Sequence, residues 1–534
     1  MKPFSTPIAD LLFSLNDIAG AHRITDWDAD LAAELAGHFA AFAEGEIAPL
    51  DEPGDSQGAR LENGRVRLPD GFKQAYAAYV EQGWPGLTAP EDFGGQAMGG
   101  AVAAIVSEIF SGACHSMQMV AGLVPGAIRT IMAFGTDDQK ARMIPPLASG
   151  EWLATMCLTE PGAGSDLSRI RCRASETGDG WRIAGEKIFI SGGDQDVSDG
   201  ILHLVLARTS DDGIRGLSLF LCPSETAGGV RNAVSVARIE EKMGLHASPT
   251  CQMVFDGAEA ELIGQPGEGL KAMFTLMNHA RLDVSLQGVA HASRAVDIAR
   301  VYAADRVQGR RADGSPATLD SHADVRRMLD EMDSLAIGAR AIAHLALVIL
   351  ETGENPDLVE FLTPVAKVFC SQAGMRAAEL GTQILGGYGY LREYRVEQTY
   401  RDARITAIYE GANGIHAGAL ASRGLRVGTG ADAFGELISG IAEETGAASL
   451  DEAADLWTTA RDTVRAADDP SRLAHDFMQL SGQVLFLALW ARIASKSAAS
   501  PDPDRYARVA SFVARRAPHE MRAQFGRLMA EAES

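Results

Sequence analysis

The apolar residues of this chain change their spacing twice, and this change limits the fold more than any other feature. From residue 27 to 50 apolar side chains such as Leu31 and Leu35 recur every three or four positions, which predicts an amphipathic helix. From about 152 to 266, short runs such as WRIAGEKIFIS and ILHLVLART indicate the strands of a compact antiparallel β domain. Helical spacing returns near 267. This order of helices, strands and helices differs from the alternating βαβ order of a doubly wound sheet.

Two stretches of the first third do not have the helical pattern. Residues 51–70 are rich in Gly and Asp and predict turns with a small ordered insertion, and WPGLTAPEDFGG at 84–95 predicts a rigid loop. The rest of this third is expected to be all helical. Near the other end, FMQLSGQVLFLALWARIA is mostly apolar but contains Gln483 and Arg492, which favours a buried packing helix over a membrane span.

The charge balance of the chain limits its partners. Lys and Arg total 48 while Asp and Glu total 71, which gives a net charge of −23. Such a surface repels nucleic-acid phosphates and anionic lipid heads, although a local basic site for an anionic ligand is compatible with it. The N-terminus lacks a signal-peptide core, and no 18 uncharged apolar residues run together. We therefore expect a cytoplasmic protein with no nucleic-acid partner and no membrane span.

The sequence lacks the motifs that are typical of metal sites and of hydrolases. Six cysteines are scattered along the chain without a Cys-x-x-Cys pair, which favours free thiols over disulfides. The sequence contains no His-Glu-x-x-His motif and no close Cys/His cluster, so we expect no metal site. A Gly-x-Ser-x-Gly nucleophile motif is also missing.

The most informative segment is CLTEPGAGSD at 157–166. Gly162, Ala163 and Gly164 follow a predicted strand, and small residues let backbone N–H groups approach a ligand closely. Thr159 and Ser165 add hydroxyl groups. Such a loop can bind the edge of a planar cofactor and a phosphate, but an ordinary turn has the same composition. The segment alone leaves both interpretations open.

This segment resembles the flavin-binding motif of acyl-CoA dehydrogenases, and other segments resemble landmarks of that family in the same order. PEDFGG at 90–95 is similar to an N-terminal landmark, although its Asp-Phe-Gly also spells a kinase triplet that no other kinase motif accompanies. The others are GEKIFIS at 185–191, KMGLHASPTCQMVFDGA at 242–258, QILGGYGY at 383–390 and IYEGANGI at 408–415.

Within the family the chain resembles most the longer branch that includes methylthiopropanoyl-CoA dehydrogenases. The segments that carry this resemblance are SPTC at 248–251, MNHARLDVSLQG at 277–288 and HADVRRML at 322–329, together with the extension after 431. The resemblance implies an α+β multidomain fold. Its parts are an N-terminal helical domain at 1–153 and a central antiparallel β-barrel domain at 154–266. A C-terminal four-helix bundle follows at 267–430, and an extra helical region at 431–534.

The resemblance also implies an FAD cofactor and α,β-dehydrogenation of an acyl-CoA thioester. In this reaction a base removes the α proton while the β hydrogen leaves as hydride to the flavin. Residues at the family's cofactor positions include Arg306, expected at the pyrophosphate, and the Gly-rich segment expected to reach the cofactor of a neighbouring subunit. The full set is Met156, Cys157, Leu158, Thr159, Gly164, Ser165, Phe189, Ile190, Ser191, Arg306, Gln383, Gly386, Gly387, Ala412 and Gly414.

Glu410 matches the catalytic base of the family motif. It follows apolar residues and precedes Gly411, so it can stand on a tight loop over a buried pocket, where exclusion of water raises the pKa of a carboxylate. The implied substrate contacts are Ser165, Arg281, Gly411 and the acyl-pocket residues Met117, Met119 and Gly122. The pocket residues are expected on a helix that begins after Ser111.

Three residues depart from the family pattern. Phe189 stands where a tryptophan commonly packs against the flavin, and Ala412 replaces a threonine after Glu-Gly. His322 stands where many relatives have glutamine, so a cofactor contact and a satisfied histidine beside Arg326 are equally compatible with the sequence.

The resemblance implies electron transfer to an electron-transfer flavoprotein and assembly as a homodimer or homotetramer. Three other functions are compatible with the scaffold: an acyl-CoA oxidase, a non-catalytic flavoprotein that binds nucleic acid, and a pure CoA-binding module. The acidic charge and the retained Glu410 argue against the second, and the retained flavin loops argue against the third. The acyl chain, the pathway and the role of the extension are not specified by the sequence.

Overall fold

The chain forms two compact units, each built from separate stretches of sequence. The computed structural model describes residues 3–178 and 180–534, without the side chain of Asn278. We call the two units the terminal unit and the central unit. The terminal unit comprises Met1–Ala41, Ala104–Gly112 and Arg281–Ser534, and the central unit comprises Phe42–Ala103 and Ala113–Ala280. The four expected domain boundaries remain a prediction, because this division follows contacts rather than chain order.

The first third is mostly helical, and the region 51–70, where turns and a small ordered insertion were expected, contains a β-hairpin. In the described part its elements are α1 Ile8–Phe13, α2 Ala29–Phe42, α3 Asp51–Gln57, β1 Arg60–Glu62, β2 Arg65–Arg67, α4 Phe72–Glu81, α5 Gly100–Ala121, α6 Val124–Phe134 and α7 Asp137–Ala148. Asn63 and Gly64 join the two strands with φ values of 51° and 75°. Positive φ at both central residues is what a two-residue hairpin turn requires.

Seven strands of the central unit form one sheet that closes on itself. They are β3 Trp152–Cys157, β4 Arg173–Thr177, β5 Gly180–Ser191, β6 Gly200–Arg208, β7 Leu217–Pro223, β8 Val234–Ile239 and β9 Thr250–Ile263. The ring runs β6-β4-β5-β9-β7 and returns to β6, while β3 pairs with β6 and β8 with β9. All nine residues of β6 are buried, which accounts for the unbroken apolar run in its sequence.

The barrel is not purely antiparallel, which corrects the expected pairing. β3 runs parallel to β6 over six residues, and β4 makes one parallel pairing with β6 at Arg173 and Arg208. The chain passes through β4 and β5 between β3 and β6, and a long connection of this kind allows two neighbouring strands to run parallel.

Long helices form most of the terminal unit. They are interrupted by a second hairpin that the sequence pattern did not predict, and the elements are α8 Gly269–Asp305, β10 Val307–Arg310, β11 Pro316–Thr318, α9 Ala323–Thr352, α10 Pro356–Leu385, α11 Val396–Ala403 and α12 Asn413–Ala419. Gly288 of α8 and Gly374 of α10 bring the two backbones close together, since a Cβ at Gly288 would lie 2.3 Å from the carbonyl oxygen of Cys370. This close approach places α10 against the stretch of α8 that carries polar site residues.

The extension after residue 430 is helical, as expected. It contains α13 Gly430–Thr445, α14 Ala448–Ala466, α15 Ala474–Ser495 and α16 Pro503–Ala532. Trp457 is fully buried among Phe361, Phe434 and Phe477, and its indole N–H donates to the Ser481 hydroxyl at 3.0 Å. This aromatic cluster packs the extension onto α10 because Phe361 belongs to that helix.

A buried ion pair joins α5 to α9 inside the terminal unit. The Arg340 guanidinium lies 2.8 Å from a carboxylate oxygen of Glu108, and His344 Nε2 lies 3.4 Å from the other. Burial alone would raise the pKa of Glu108, but the charge of Arg340, together with the nearby His344, outweighs it and lowers the pKa to about 2. Glu108 is therefore a charged structural residue at all ordinary pH values.

Three helices of the described residues are long and apolar enough to cross a membrane, by length and composition alone. They are Gly100–Ala121, Ala323–Thr352 and Ala474–Ser495. The expectation of no membrane span rested on the lack of 18 uncharged apolar residues in a row, and it stays a prediction. Between 72% and 83% of the most apolar window of each helix is buried inside the protein, which accounts for the apolar composition.

Candidate active site

Glu410 stands on a strained turn between a 3₁₀ segment, Arg404–Ala407, and α12. Its φ is 52°, a left-handed conformation that side chains other than glycine seldom adopt. The backbone oxygen of Glu410 lies 3.0 Å from His416 Nε2, and a Cβ at Gly411 would lie 2.8 Å from the same nitrogen. The turn thus requires glycine after the glutamate, and strain of this kind is typical of functional sites.

The ring of His416 is neutral and donates to the turn. Burial, together with the charges of Arg281 and Lys367, lowers its pKa to about 4. Because the partner of Nε2 is a carbonyl oxygen, Nε2 carries the hydrogen in this neutral ring. His416 is therefore a support of the turn.

Lys367 of α10 holds the backbone after Glu410. Its ammonium donates to the oxygen of Gly411 at 2.8 Å and to Asn413 Oδ1 at 2.9 Å, and the Asn413 amide donates to Ser371 Oγ at 3.1 Å. Burial lowers the pKa of Lys367 to about 8. The residue was not predicted from the sequence, although a single lysine inside the apolar run PVAKVFC was a signal for a buried role.

One oxygen of the Glu410 carboxyl group, Oε2, is buried without a hydrogen bond, while the residue as a whole is half-buried. Among the described residues, no donor lies within hydrogen-bond distance of Oε2. Burial raises the pKa of Glu410 from its ordinary value to about 7, and the charges of Arg281 and Lys367 only partly offset this effect. A carboxylate with a pKa near 7 can take a proton and give it up again at neutral pH, as a general base must.

Polar contacts to α8 fix the residue before the glutamate. The Tyr409 hydroxyl donates to Gln287 Oε1, and the Gln287 amide donates to Asp283 Oδ2 at 3.0 Å. Arg281 belongs to the same stretch of α8, where burial lowers its pKa and the charge of Glu410 favours its charged form. The terminal unit therefore brings the predicted Arg281 and Glu410 together, and it adds Gln287 and Asp283, which the sequence analysis missed.

In the central unit, the glycine loop is anchored by a buried ion pair. The Lys187 ammonium donates to Glu160 Oε1 at 2.8 Å and to the oxygen of Leu158 at 3.0 Å, and both side chains are buried. Glu160 also accepts from the N–H groups of Arg171 and Cys172. These contacts leave Gly162 and Gly164 exposed, with open space where a Cβ would stand. The predicted loop is therefore rigidly held and accessible to a ligand.

Phe189 lies at a β-bulge next to this loop. Its φ is 59°, and the pairing of β5 with β9 shifts register between Lys187 and Ile190. A bulge re-aims a side chain, and the ring of Phe189 is 60% exposed. The Ile188 N–H donates to the oxygen of Thr159 at 2.9 Å, which ties the bulge to the end of β3.

These features favour a flavin contact for Phe189 over packing in the core. The strained backbone at Phe189 keeps one face of its ring exposed. This face lies beside a glycine loop that carries the hydroxyl groups of Thr159 and Ser165, which suits a planar cofactor. Ser191 follows the bulge and is partly buried. Cys157 is fully buried and its thiol pKa is raised to about 12, so it can contribute backbone groups but no reactive thiolate. Met156 and Ile190 border this region as strand residues, and Leu158 directly follows β3.

The terminal unit brings Arg306 beside the Gly-rich segment. The Arg306 guanidinium lies 5.5 Å from the centre of the Tyr388 ring, which packs against Tyr302 and Tyr394. Gly386 has a φ of 60°, and a Cβ at Gly386 or Gly387 would meet nothing. Gln383 is also exposed, so this part of the predicted cofactor set is accessible and clustered. Ala412 and Gly414 lie on the Glu410 turn instead.

His322 and the helix of the expected acyl pocket can be compared with their predictions. His322 Nε2 lies 2.7 Å from the backbone oxygen of Gln308, so the structure favours the satisfied histidine, with a different partner from Arg326. A helical segment does begin after Ser111, because the extended backbone of Cys114 (φ −159°, ψ 95°) divides α5 into two helical segments. Met117 is buried and Gly122 is exposed, and the acyl-pocket role of Met117, Met119 and Gly122 remains a prediction.

Comparison with known proteins identifies the family. Three family models match: acyl-CoA dehydrogenase N-terminal domain at 31–151, middle domain at 155–258 and C-terminal domain at 267–425. A 3-methylmercaptopropionyl-CoA dehydrogenase from Ruegeria pomeroyi is 39% identical, covering 92% of this chain and 89% of that protein. A broad-specificity linear acyl-CoA dehydrogenase from Mycobacterium tuberculosis is 33% identical, covering 78% and 74%.

A solved structure shares the fold over nearly the whole chain. An acyl-CoA dehydrogenase complexed with FAD from Bacillus anthracis has a TM-score of 0.79 at 21% identity and covers 98% of this chain and 92% of that one. The match includes the helices after residue 430, which lie beyond the three family models. The chain belongs to the acyl-CoA dehydrogenase family, the FAD-dependent enzymes that dehydrogenate acyl-CoA thioesters.

Proposed function

We propose that this protein converts an acyl-CoA to the 2-enoyl-CoA with Glu410 as its base, and that an electron-transfer flavoprotein accepts the electrons. The observation that carries the proposal is the buried carboxyl oxygen Oε2 of Glu410, which has no hydrogen-bond donor among the described residues. The structural carboxylate Glu108 also has one oxygen without a donor, but its other oxygen is paired with Arg340 at 2.8 Å, whereas Glu410 forms no ion pair among the described residues. An unpaired buried carboxylate is costly and persists where function requires it.

The turn prepares Glu410 for proton transfer. Lys367 and His416 hold the backbone on either side, so the carboxyl group needs no direct bond to stay in place. Ionised Glu410 removes the α proton of the thioester and becomes neutral, a form that its buried surroundings favour. The neutral acid then returns the proton to water after the product leaves. The bound FAD supplies the acceptor for the β hydrogen and its electron pair.

The residues that would hold the cofactor fall into two groups. In the central unit they are Thr159, Gly164, Ser165, Phe189 and Ser191, where the loop and the bulge are exposed. In the terminal unit they are Arg306, Gln383, Gly386 and Gly387, where a guanidinium stands beside an open glycine pair. A guanidinium and free backbone N–H groups suit a pyrophosphate.

The acyl group is best sought first among short and thioether-containing chains. The relative from Ruegeria pomeroyi, which matches along nearly its whole length, is named for 3-methylmercaptopropionyl-CoA. The flexible Met117 and Met119 would tolerate a thioether sulfur in the predicted acyl pocket. Butanoyl-CoA and longer straight-chain thioesters serve as comparison substrates.

Anaerobic bleaching of the flavin tests the proposal directly. We expect 3-methylmercaptopropionyl-CoA to reduce the bound FAD, and we expect Glu410→Gln to keep FAD and bind acyl-CoA while losing at least about a hundredfold in the rate of reduction. The matched control is Glu397→Gln, which also replaces a carboxylate by an amide, but on α11, where Glu397 forms an ion pair with Arg401. Near-normal reduction in Glu410→Gln would reject the base.

The electron acceptor is tested by reoxidation. Enzyme reduced by substrate should be reoxidised rapidly by an electron-transfer flavoprotein and slowly by dissolved oxygen. Rapid reoxidation by oxygen, with stoichiometric hydrogen peroxide, would make the protein an acyl-CoA oxidase instead.

A further inference from the structure

A basic cluster lies on the central unit just after the glycine loop. Ser168–Arg173 and Arg208–Gly213 line an open depression that contains four arginines and one aspartate: Arg169, Arg171, Arg173, Arg208 and Asp211. The chain as a whole carries a net charge of −23. A local excess of arginine on such an acidic protein indicates an anionic ligand, because the general charge balance would not produce it.

Arg208 is the fixed base of this cluster. It is buried, and its guanidinium donates to four backbone oxygens, those of Ile170, Ser210, Gly213 and Ser168, at 2.8–3.2 Å. Within the described residues no carboxylate pairs with it. Carbonyl groups satisfy its hydrogen bonds without neutralising its charge, so Arg208 both holds the two loops together and leaves a positive potential in the depression.

Arg169 and Arg171 are available to a ligand. Both are exposed, and in the described part of the chain neither forms an ion pair, whereas Arg173 is paired with Asp211 at 2.5 Å. Most other exposed arginines of this acidic protein have a carboxylate partner, as Arg142 does with Asp138 and Glu261. Two unpaired guanidinium groups beside a buried cation offer bidentate donors that match phosphate oxygens.

The cluster is mechanically tied to the glycine loop. The Arg171 N–H donates to Glu160 Oε2 at 2.7 Å, and Asp166 Oδ1 accepts from Ser168 through its N–H and its hydroxyl. Arg169 lies four residues after Ser165, so their Cα atoms are at most about 14 Å apart. A long ligand that touches Ser165 can therefore reach the arginines.

We propose that Arg169 and Arg171 bind phosphate groups of the CoA part of the substrate. The inference rests on the proposed function, since it assumes that the thioester is the substrate and that Ser165 contacts it. CoA carries a diphosphate and a 3′-phosphate at the end away from the thioester, and these groups supply the anionic charge that the cluster matches. The arginines act in binding and have no part in proton or hydride transfer.

Substrates with fewer phosphates test the assignment. The double variant Arg169→Gln/Arg171→Gln should raise the KM for butanoyl-CoA about tenfold, because each exposed charge contact contributes up to about 1 kcal/mol. The KM should rise less for butanoyl-dephospho-CoA, and the values for butanoyl-pantetheine should equal those of the wild type. Arg515→Gln, an exposed arginine of α16 without an ion pair among the described residues, is the matched control.

Several outcomes would overturn the assignment. An unchanged KM for butanoyl-CoA rejects it, and so does an equal rise for butanoyl-pantetheine, which would indicate a general loop defect. A slower reaction with the electron-transfer flavoprotein at an unchanged KM would make the cluster a protein-docking site.

Direct binding separates this inference from the proposed function. Calorimetric titration of the FAD-loaded protein with free CoA should show weaker binding in the double variant, whether or not the wild-type flavin is reduced by acyl-CoA. If the wild-type protein binds CoA through these arginines but its flavin is not bleached by acyl-CoA, the proposed function is refuted while the phosphate-binding role of the arginines stands. Equal CoA affinity in variant and wild type would refute the cluster alone.

Discussion

Glu108 and Glu410 are two glutamates of the same unit that each have a buried carboxyl oxygen but opposite acid–base properties. Each lies near a cationic side chain, yet the pKa of Glu108 falls to about 2 and that of Glu410 rises to about 7. Glu108 receives direct hydrogen bonds from Arg340, whereas the ammonium of Lys367 is committed to Gly411 and Asn413. The comparison shows that a cation in direct contact with a buried carboxylate, as Arg340 is with Glu108, outweighs the effect of burial on the pKa, whereas cations bound to other groups offset it only in part.

The largest expected effect is the loss of stability when Glu108 is neutralised. Glu108→Gln leaves the buried Arg340 without its counter-charge, so we expect unfolding to become easier by roughly 3–5 kcal/mol. Denaturant unfolding of the FAD-loaded protein measures this loss. Glu354→Gln removes an exposed ion pair with Arg23 and should change stability by less than about 0.5 kcal/mol. A cost as small as that of the control would mean that Glu108 is not structural.

The same substitution at Glu410 should have the opposite sign. A folded-state pKa above the ordinary value means that the folded protein binds the proton more tightly, so stability is lost as pH rises from about 4.5 to about 7. Glu410→Gln removes this penalty and should stabilise the protein by about 1–3 kcal/mol at pH 8. At pH 4.5 the gain should nearly vanish. Thermal unfolding at the two pH values measures it, and destabilisation at pH 8 would contradict the comparison.

The pH dependence of flavin reduction is the next test. Ionised Glu410 is the active form, so the second-order rate constant for reduction, measured with subsaturating acyl-CoA, should fall about tenfold per pH unit below its pKa and level off above it. In the free enzyme the midpoint should lie near pH 7. Stopped-flow reduction between pH 5 and 9 provides the profile. A midpoint near 4.5 would place the base in a solvated environment and remove the contrast with Glu108.

The smallest expected effect concerns Lys367. Its positive charge lowers the pKa of Glu410, so Lys367→Met should move the midpoint of the pH profile to higher pH while the protein keeps FAD. Lys271→Met removes an exposed lysine of α8 and should leave the midpoint in place. A shift to lower pH in Lys367→Met would show that the lysine does not act through its charge.

The sequence predicted the fold order and the motif-bearing residues because those signals are local. Apolar spacing of two or of three to four residues indicated the strands and helices, and the Glu410 and glycine-loop motifs lie within ten residues each. The two hairpins were missed or described only as turns, although Asn63-Gly64 and Asp313-Gly314 are typical hairpin turns. Their strands are short and mostly exposed, so they lack the apolar alternation that marked the barrel.

The supports of the site could not be predicted because they come from distant parts of the chain. Lys367 lies 44 residues from Gly411 in sequence, and Gln287 lies 122 residues from Tyr409. The bulge at Phe189 depends on a register shift against β9. Such pairings form only when helices and strands pack against each other. A sequence motif can therefore identify the catalytic base, but only the structure shows which groups set its pKa.

The ends of the chain are tied together, and this affects the order in which the protein can fold. Asp10 binds Arg505 at 2.8 Å and Tyr506 at 3.1 Å, and the first 41 residues belong to the same unit as residues 281–534. At a synthesis rate of about 5–20 residues per second, Arg505 emerges roughly 25–100 seconds after Asp10. Until then Phe13 lacks Tyr506, against which its ring packs. The central unit can complete its barrel during this interval, whereas the unit that holds Glu410 must wait for the last helix and depends on protection of its N-terminal segment from aggregation.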